Sequence, residues 1–107
     1  MSATLPTIGL LVANGEVRVS DHAYDSLSKH AMMASDAIDS IATGVVIEDY
    51  PGYHAGASVL VLRYDQLGGP LHALWGLKTG TKTPAVLVTA YRPDPARWTA
   101  DFRKRKP

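Results

Sequence analysis

The second half of the chain contains four apolar segments of strand length, separated by short links. The segments are Val45–Tyr50, Ser58–Tyr64, Leu71–Leu77 and Ala85–Tyr91. The links contain the turn-forming residues Pro51-Gly52, Gly68-Gly69-Pro70, Gly80 and Pro84. Parallel neighbours need a crossover of about a dozen residues or more, so these short links predict an antiparallel meander.

The third of these segments shows the alternation of a strand with two different faces. Four apolar residues fall on one face: Leu71, Ala73, Trp75 and Leu77. The other face carries His72, Leu74 and Gly76. The segment is therefore predicted to be a strand with these two faces.

The first half of the chain has the periodicity of helices. Residues from about Leu5 to Ala13 form a short apolar segment that ends at Asn14-Gly15. Ser20 is a good N-cap for a helix from about Asp21 to His30. Its apolar face is formed by Ala23, Leu27 and Ala31.

A further helix is predicted over Asp36–Thr43, with Ser35 as its N-cap and Gly44 as its end. Its inward residues are predicted to be Ile38, Ile41 and Ala42. The closing segment Ala96–Lys106 is predicted to be a short helix or a tail. The expected fold class is α+β, with two or three N-terminal helices packed on a mostly antiparallel four-stranded sheet.

Length and composition limit the class of protein. With 107 residues and no cysteine, the chain is predicted to form one domain without disulfides or thiolate metal sites. No signal-peptide pattern and no apolar run of about 18 residues is found. We therefore expect a cytoplasmic protein that does not enter a membrane.

The net charge of +1 conceals an uneven distribution of charge. Residues 20–50 carry six acidic side chains and one lysine, whereas residues 92–107 carry six basic and two acidic side chains. A basic C-terminus attracts phosphate groups or an acidic partner, while the acidic first half would repel nucleic acid. A solvated, functionless tail explains the same composition.

The end of the last predicted strand brings three polar side chains together. Thr89, Tyr91 and Arg92 supply a hydroxyl, a phenol and a guanidinium, which together can bind and polarise a phosphate. Pro93 and Pro95 then turn the chain towards Trp98. The plain alternative is a final strand with a half-buried Tyr91 and a solvated Arg92.

The four histidines give a second set of candidates. His72 lies in the middle of an apolar strand, where a charged imidazole is costly, and His22 lies in the first turn of a helix, where the dipole favours the neutral form. A buried His72 that binds a backbone carbonyl is the structural alternative. His30 and His54 are interpreted as surface residues.

A metal site is possible only through the tertiary fold. No pair of histidines has the spacing of a helical zinc site. The residues that would have to meet are His22, His72, Glu48 and Asp49.

Four blocks of sequence resemble one bacterial family. They are RVSDHAYDSL (Arg18–Leu27), VVIEDYP (Val45–Pro51), PLHALWG (Pro70–Gly76) and LVTAYRPDPARW (Leu87–Trp98). In this order they are similar to the family called domain of unknown function 4258, over about residues 16–106. That family resembles, distantly, the small toxins with the fold of barnase, colicin-type nucleases and RelE-like ribonucleases.

This resemblance implies cleavage of RNA without a metal or other cofactor, by attack of the 2′-hydroxyl on its own phosphate. It implies His72 or His22 as base or acid and Arg92 as phosphate clamp, with Tyr91 as a positioning group. Thr89 is a further positioning donor. Glu48 is implied to orient a histidine.

Two functions of different classes follow from the sequence. The first is a toxin-like cytoplasmic endoribonuclease with RNA as substrate and an antitoxin protein as partner. The second is a non-catalytic accessory domain that binds RNA, a small ligand or a protein on a nuclease-like fold.

Overall fold

A computed structural model describes residues 4–52, 56–78, 80 and 83–107. The strands are β1 (Val17–Val19), β2 (Val45–Tyr50), β3 (Ser58–Tyr64), β4 (Pro70–Leu77) and β5 (Ala85–Tyr91). The helices are α1 (Thr4–Ala13), α2 (Asp21–Lys29) and α3 (Ala34–Thr43). The strands form one sheet in the order β1-β5-β4-β3-β2, so the α+β class is confirmed.

The sheet has five strands and is mixed, whereas four antiparallel strands were expected. The predicted meander is present, since β2, β3, β4 and β5 pair with each other antiparallel and in sequence order. The additional strand β1 pairs in parallel with β5. Three residues are too few to show an alternation, and β1 is far from β5 in the sequence, so the short-link argument does not apply to this pair.

The three helices cover one face of the sheet and enclose the core. Leu71, Ala73, Trp75 and Leu77, which alternation assigns to one face of β4, are buried on that side. The indole Nε1 of Trp75 donates a hydrogen bond of 3.1 Å to the hydroxyl of Ser40 in α3. Because the other residues of β4 point away from the helices, His72 lies on the opposite face of the sheet.

Ser20 caps α2 as predicted and also binds the sheet. Its hydroxyl accepts a hydrogen bond from the N–H of Ala23 at 3.0 Å and donates one to the carbonyl of Val88 at 2.8 Å. Ala23 and Leu27 are buried. Ala31, expected on the same face, lies beyond the helix with a φ of 53° and is exposed.

The predicted boundary and inner face of α3 were partly wrong. The helix begins at Ala34 after Met33, which makes no side-chain capping bond, so Ser35 lies inside the helix and is not its N-cap. The buried residues are Ala37, Ser40 and Ile41, whereas Ala42 is exposed. The helix thus begins two residues before the predicted start at Asp36, and its first turn includes Ala34 and Ser35.

Residues 93–107, here called the C-terminal segment, contain turns and no helix. An isolated antiparallel bridge joins Trp98 to Arg105 and holds the segment as a loop. A short helix or a tail was expected over Ala96–Lys106. The prediction of a helix is wrong, because Pro93, Pro95 and the turn residues favour a folded loop. No helix in the described part of the chain is long and apolar enough to cross a membrane.

Candidate functional site

The sheet face opposite the helices carries three rows of residues defined by the strand register. One row contains Leu62, His72 and Tyr91, and the next contains Glu48, Leu60, Leu74 and Thr89. The third row crosses all five strands: Tyr50, Ser58, Gly76, Val86 and Arg18. We call this side of the sheet the open face. The C-terminal segment covers its first row.

His72 is fully buried beneath the C-terminal segment, with none of its surface exposed. Its Nε2 lies 2.9 Å from the carbonyl oxygen of Phe102, and its Nδ1 lies 3.1 Å from the phenol oxygen of Tyr91. A carbonyl only accepts, so Nε2 carries the proton and Nδ1 accepts from Tyr91 when the imidazole is neutral. The ring of Trp98 packs edge-on at a centroid distance of 4.4 Å.

Burial controls the ionisation of this pair. Removal from water lowers the pKa of His72, an effect that the carbonyl of Phe102 and the charge of Glu48 partly oppose. Burial likewise raises the pKa of Tyr91. At neutral pH the structure therefore holds a neutral imidazole against a neutral phenol.

Glu48, Tyr50 and Arg105 form a second, more accessible cluster beside this pair. The guanidinium of Arg105 donates two hydrogen bonds to the Glu48 carboxylate, from Nε at 2.8 Å and from Nη2 at 3.0 Å. The phenol of Tyr50 donates to the same carboxylate at 2.5 Å. The side chain of Glu48 is 19% exposed and that of Arg105 is 62% exposed.

The hydrogen bonds in this cluster stabilise the ionised form of Glu48 and the neutral form of Tyr50. The hydrogen bond from Arg105 lowers the pKa of Glu48, and the bond from Tyr50 lowers it further against the opposing effect of burial. The hydrogen bond to Glu48 raises the pKa of Tyr50. Arg105 also lies over the ring of Trp98, with its Cζ 4.7 Å from the ring centroid. The resting cluster therefore contains a carboxylate, a neutral phenol and a guanidinium.

Arg92, predicted to clamp a phosphate, binds groups of the chain itself. Its Nη2 lies 2.6 Å from the Asp65 carboxylate, and its Nη1 donates to the carbonyl oxygens of Gly69 and Pro70. The N–H of Gly69 and the side chain of Arg92 lower the pKa of Asp65. A Cβ at Gly69 would lie 3.1 Å from both Arg92 and Asp65, so glycine suits this position. These contacts hold the β3–β4 turn.

Two other predicted site residues are associated with α2. The Thr89 hydroxyl donates a hydrogen bond of 3.2 Å to Ser26 of α2. His22 is exposed in the first turn of the same helix. The structure thus brings together Glu48, His72 and Tyr91, but not His22 and Thr89.

The structure corrects the interpretation of His30 and contains no metal-binding group among the described residues. His30, interpreted as a surface residue, is half-buried, and its Nδ1 accepts a hydrogen bond of 3.3 Å from the N–H of Arg92. His54 lies outside the described residues. Within residues 4–52, 56–78, 80 and 83–107, no three His, Asp or Glu side chains form a group that could hold a metal ion.

Tyr50 and Arg105 were not identified as site residues from the sequence. Tyr50 is two residues after Glu48 on β2, so the alternation of a strand would have placed both on one face. Arg105 belongs to the basic C-terminus, whose charge gives no indication of which side chain returns to the sheet. Its partner is 57 residues away in the sequence.

Comparison with known proteins identifies a family. No curated protein and no solved structure matches the chain. The family described as domain of unknown function (DUF4258) matches residues 19–92, which is more than half of the chain. These residues include β2 to β5 and therefore Glu48, His72 and Tyr91. The chain belongs to the DUF4258 family.

Proposed function

We propose that this chain is an endoribonuclease that cleaves RNA without a metal ion, at the cluster formed by Glu48, Tyr50 and Arg105. The observation that carries the proposal is the partly exposed Glu48 carboxylate, hydrogen-bonded on one side to a phenol and on the other to a guanidinium. These groups supply a proton acceptor, a proton donor and a cation for the developing phosphorane charge.

The chemistry follows from these three groups. Glu48 takes the proton of the 2′-hydroxyl as its oxygen bonds to phosphorus, and the bond from phosphorus to the 5′-oxygen breaks. Tyr50 gives its proton to that leaving oxygen. The protonated Glu48 then returns a proton to Tyr50 through the 2.5 Å hydrogen bond that joins them. The products carry a 2′,3′-cyclic phosphate and a 5′-hydroxyl.

Arg105 can hold a phosphate while it remains in contact with Glu48. A guanidinium has five N–H donors, and two of them bind the Glu48 carboxylate in the resting protein. A phosphate that competes for Arg105 would weaken this ion pair and raise the pKa of Glu48. Substrate binding would thus make the carboxylate a stronger base.

His72 and Arg92 take different roles in this proposal from those that the resemblance implies. His72 is fully buried, so we assign it the positioning of Tyr91 and of the C-terminal segment. Arg92 is engaged by Asp65, so we assign it the support of the β3–β4 turn. Neither residue contacts the substrate in this mechanism.

The direct test is cleavage of single-stranded RNA by the purified protein in excess chelator. We expect cleavage to proceed and to leave 2′,3′-cyclic phosphate or 3′-phosphate ends, because the 2′-oxygen is the nucleophile. DNA and fully 2′-O-methylated RNA are the matched controls and should remain intact. Cleavage that requires added magnesium, or no cleavage of free or ribosome-bound RNA, would refute the proposal.

The pH dependence tests the role of Arg105. Glu48 must be ionised to act as a base, so on the acid side wild-type kcat/KM should not fall until the pH drops through the pKa of Glu48, below its usual 4.5. In Arg105→Gln the main cause of that low pKa is removed. The fall of kcat/KM at acidic pH, here called the acid limb, should therefore move to higher pH. The plateau should also fall by about 10²- to 10³-fold, since a cation at the transition state is lost.

The matched control for this variant is Arg103→Gln, which removes a positive charge two residues away in the same segment. It should keep the wild-type acid limb. The ¹³C signal of the Glu48 carboxyl reports its ionisation independently of activity, and circular dichroism confirms the fold at each pH. An acid limb that stays in place in Arg105→Gln would show that this residue does not control the base.

The proposal includes the cytoplasm as the place of action and an inhibitory antitoxin as partner, because a ribonuclease that acts on cellular RNA endangers its own cell. Co-expression with a protein encoded beside it should relieve a growth defect if this part is correct. A non-catalytic RNA-binding domain is the second candidate. It is favoured by the complete burial of His72, and it would bind RNA without cutting it.

A further inference from the structure

The open face contains an apolar groove at the end away from the C-terminal segment. It has a volume of about 660 Å³ and follows the row that crosses all five strands. The row begins at Tyr50 on β2, passes Gly76 at its centre and ends at Arg18 on β1. With strands about 4.8 Å apart, its backbone spans roughly 19 Å.

Gly76 makes the floor of the groove shallow and flat. A Cβ placed there would lie 3.4 Å from the hydroxyl of Ser58 and 3.5 Å from the Cγ2 of Val88, which are ordinary contact distances. The space is therefore left by the missing side chain and not by strained backbone. Leu74 and Val86 complete an apolar surface that suits a planar, weakly hydrated group.

The rim of the groove is basic. Arg18 and Lys78 line it, both are exposed, and none of the described lining residues is acidic. An occupant that combines a flat apolar part with negative charge matches this arrangement. A nucleotide has both, in its base and its phosphate.

The groove is continuous with the Glu48 cluster. Tyr50 lines the groove, and its hydroxyl binds the Glu48 carboxylate. Residues two apart on a strand are about 7 Å apart, which places the groove one row from the carboxylate. A phosphate held at Arg105 would thus have a neighbouring base within reach of the groove floor.

We propose that this groove binds the base of one nucleotide of single-stranded RNA, next to the phosphate held at Arg105. This inference rests on the proposed ribonuclease function. The base must be unpaired, because a base inside a duplex cannot lie flat on the sheet. The Ser58 hydroxyl donates to the carbonyl of Gly56, so stacking on Tyr50 and apolar contact provide binding with little discrimination between bases.

Filling the groove tests the proposal. The probe is a 2′-O-methylated hexaribonucleotide, which binds as RNA but cannot be cleaved. Gly76→Leu places a side chain on the floor and should weaken binding by about 5- to 150-fold, the range expected for loss of one stacked base. Gly76→Ala is the matched control, since its methyl group fits at contact distance, and it should bind nearly as well as wild type.

A second variant covers the case in which Gly76→Leu fails to fold. Arg18 is exposed, so Arg18→Glu should leave the fold intact, weaken binding and flatten its dependence on salt. In the wild-type protein, the methyl NMR signals of Val86 and Val88 should shift when the hexanucleotide is added. Unchanged binding in both variants, or no binding by wild type, would overturn the groove proposal.

The outcomes for the groove and for the ribonuclease function are separable. If the hexanucleotide binds and Gly76→Leu weakens it, but unmodified RNA is not cleaved, the groove proposal stands and the catalytic one fails. If unmodified RNA is cleaved equally by wild type and Gly76→Leu, the catalytic proposal stands and the groove proposal fails.

Discussion

Glu48→Gln is expected to lower the rate of RNA cleavage by about 10²- to 10⁴-fold, the usual effect of removing one well-placed proton-transfer group. Glutamine has nearly the same shape, and its amide oxygen can still accept hydrogen bonds from Tyr50 and from Nη2 of Arg105, although the bond from Nε of Arg105 is lost. It cannot take the proton of a 2′-hydroxyl. The loss should therefore appear mainly in kcat, measured by single-turnover cleavage of a short fluorescent RNA.

The control for this variant is Asp39→Asn, which removes one carboxylate from the exposed side of α3. It should cleave RNA at the wild-type rate. Tyr50→Phe should lose part of the rate, because it keeps the ring in the groove but removes the proton for the leaving oxygen. Wild-type activity in Glu48→Gln, with the fold verified by circular dichroism, would remove Glu48 from the chemistry.

The sequence predicted the sheet well because its evidence is local. Alternation along Leu71–Leu77 and turn residues between the strands depend only on near neighbours, and the predicted bounds of β2, β3 and β5 agree with the structure. The larger errors depend on distant contacts. The pairing of β1 with β5 and the return of the C-terminal segment to the sheet have no periodic pattern in the sequence.

In the candidate site, too, local patterns predict some contacts and fail for those between distant parts of the chain. His72 and Tyr91 are directly opposite each other on β4 and β5, so a correct antiparallel register brings them together. Thr89 lies two residues from Tyr91 on the same strand, yet its hydroxyl bonds to Ser26 of α2, a contact that strand alternation does not predict. Arg105 reaches Glu48 only because the chain folds back after Trp98, and no local rule predicts such a contact.

Stability should fall as the pH drops below about 6.5, and His72 should cause a measurable part of this fall. Burial lowers the pKa of His72 in the folded protein, so between that value and 6.5 the unfolded chain binds a proton that the folded chain does not. This contribution is fully present above 6.5 and is lost at lower pH. Its slope is at most about 1.4 kcal/mol per pH unit.

Urea unfolding at several pH values from 5 to 8 measures this dependence. In His72→Gln the slope due to His72 should disappear, and the free energy of unfolding at pH 8 should fall by about 1–3 kcal/mol, because the Tyr91 phenol loses its partner. His22→Gln is the matched control. It also replaces a histidine, on the exposed side of α2, but leaves His72 in place and should keep the wild-type slope. A slope that persists in His72→Gln would contradict the assignment.

The cause of this pH dependence is burial and not the loss of hydrogen bonds. A protonated His72 can still donate from Nε2 to Phe102, and from Nδ1 to Tyr91 once the phenol rotates to accept. The cost of the charge therefore depends on how well the C-terminal segment excludes water. Trp98→Ala, which removes the ring packed on His72, should lower stability and also reduce the slope, because water then reaches the imidazole.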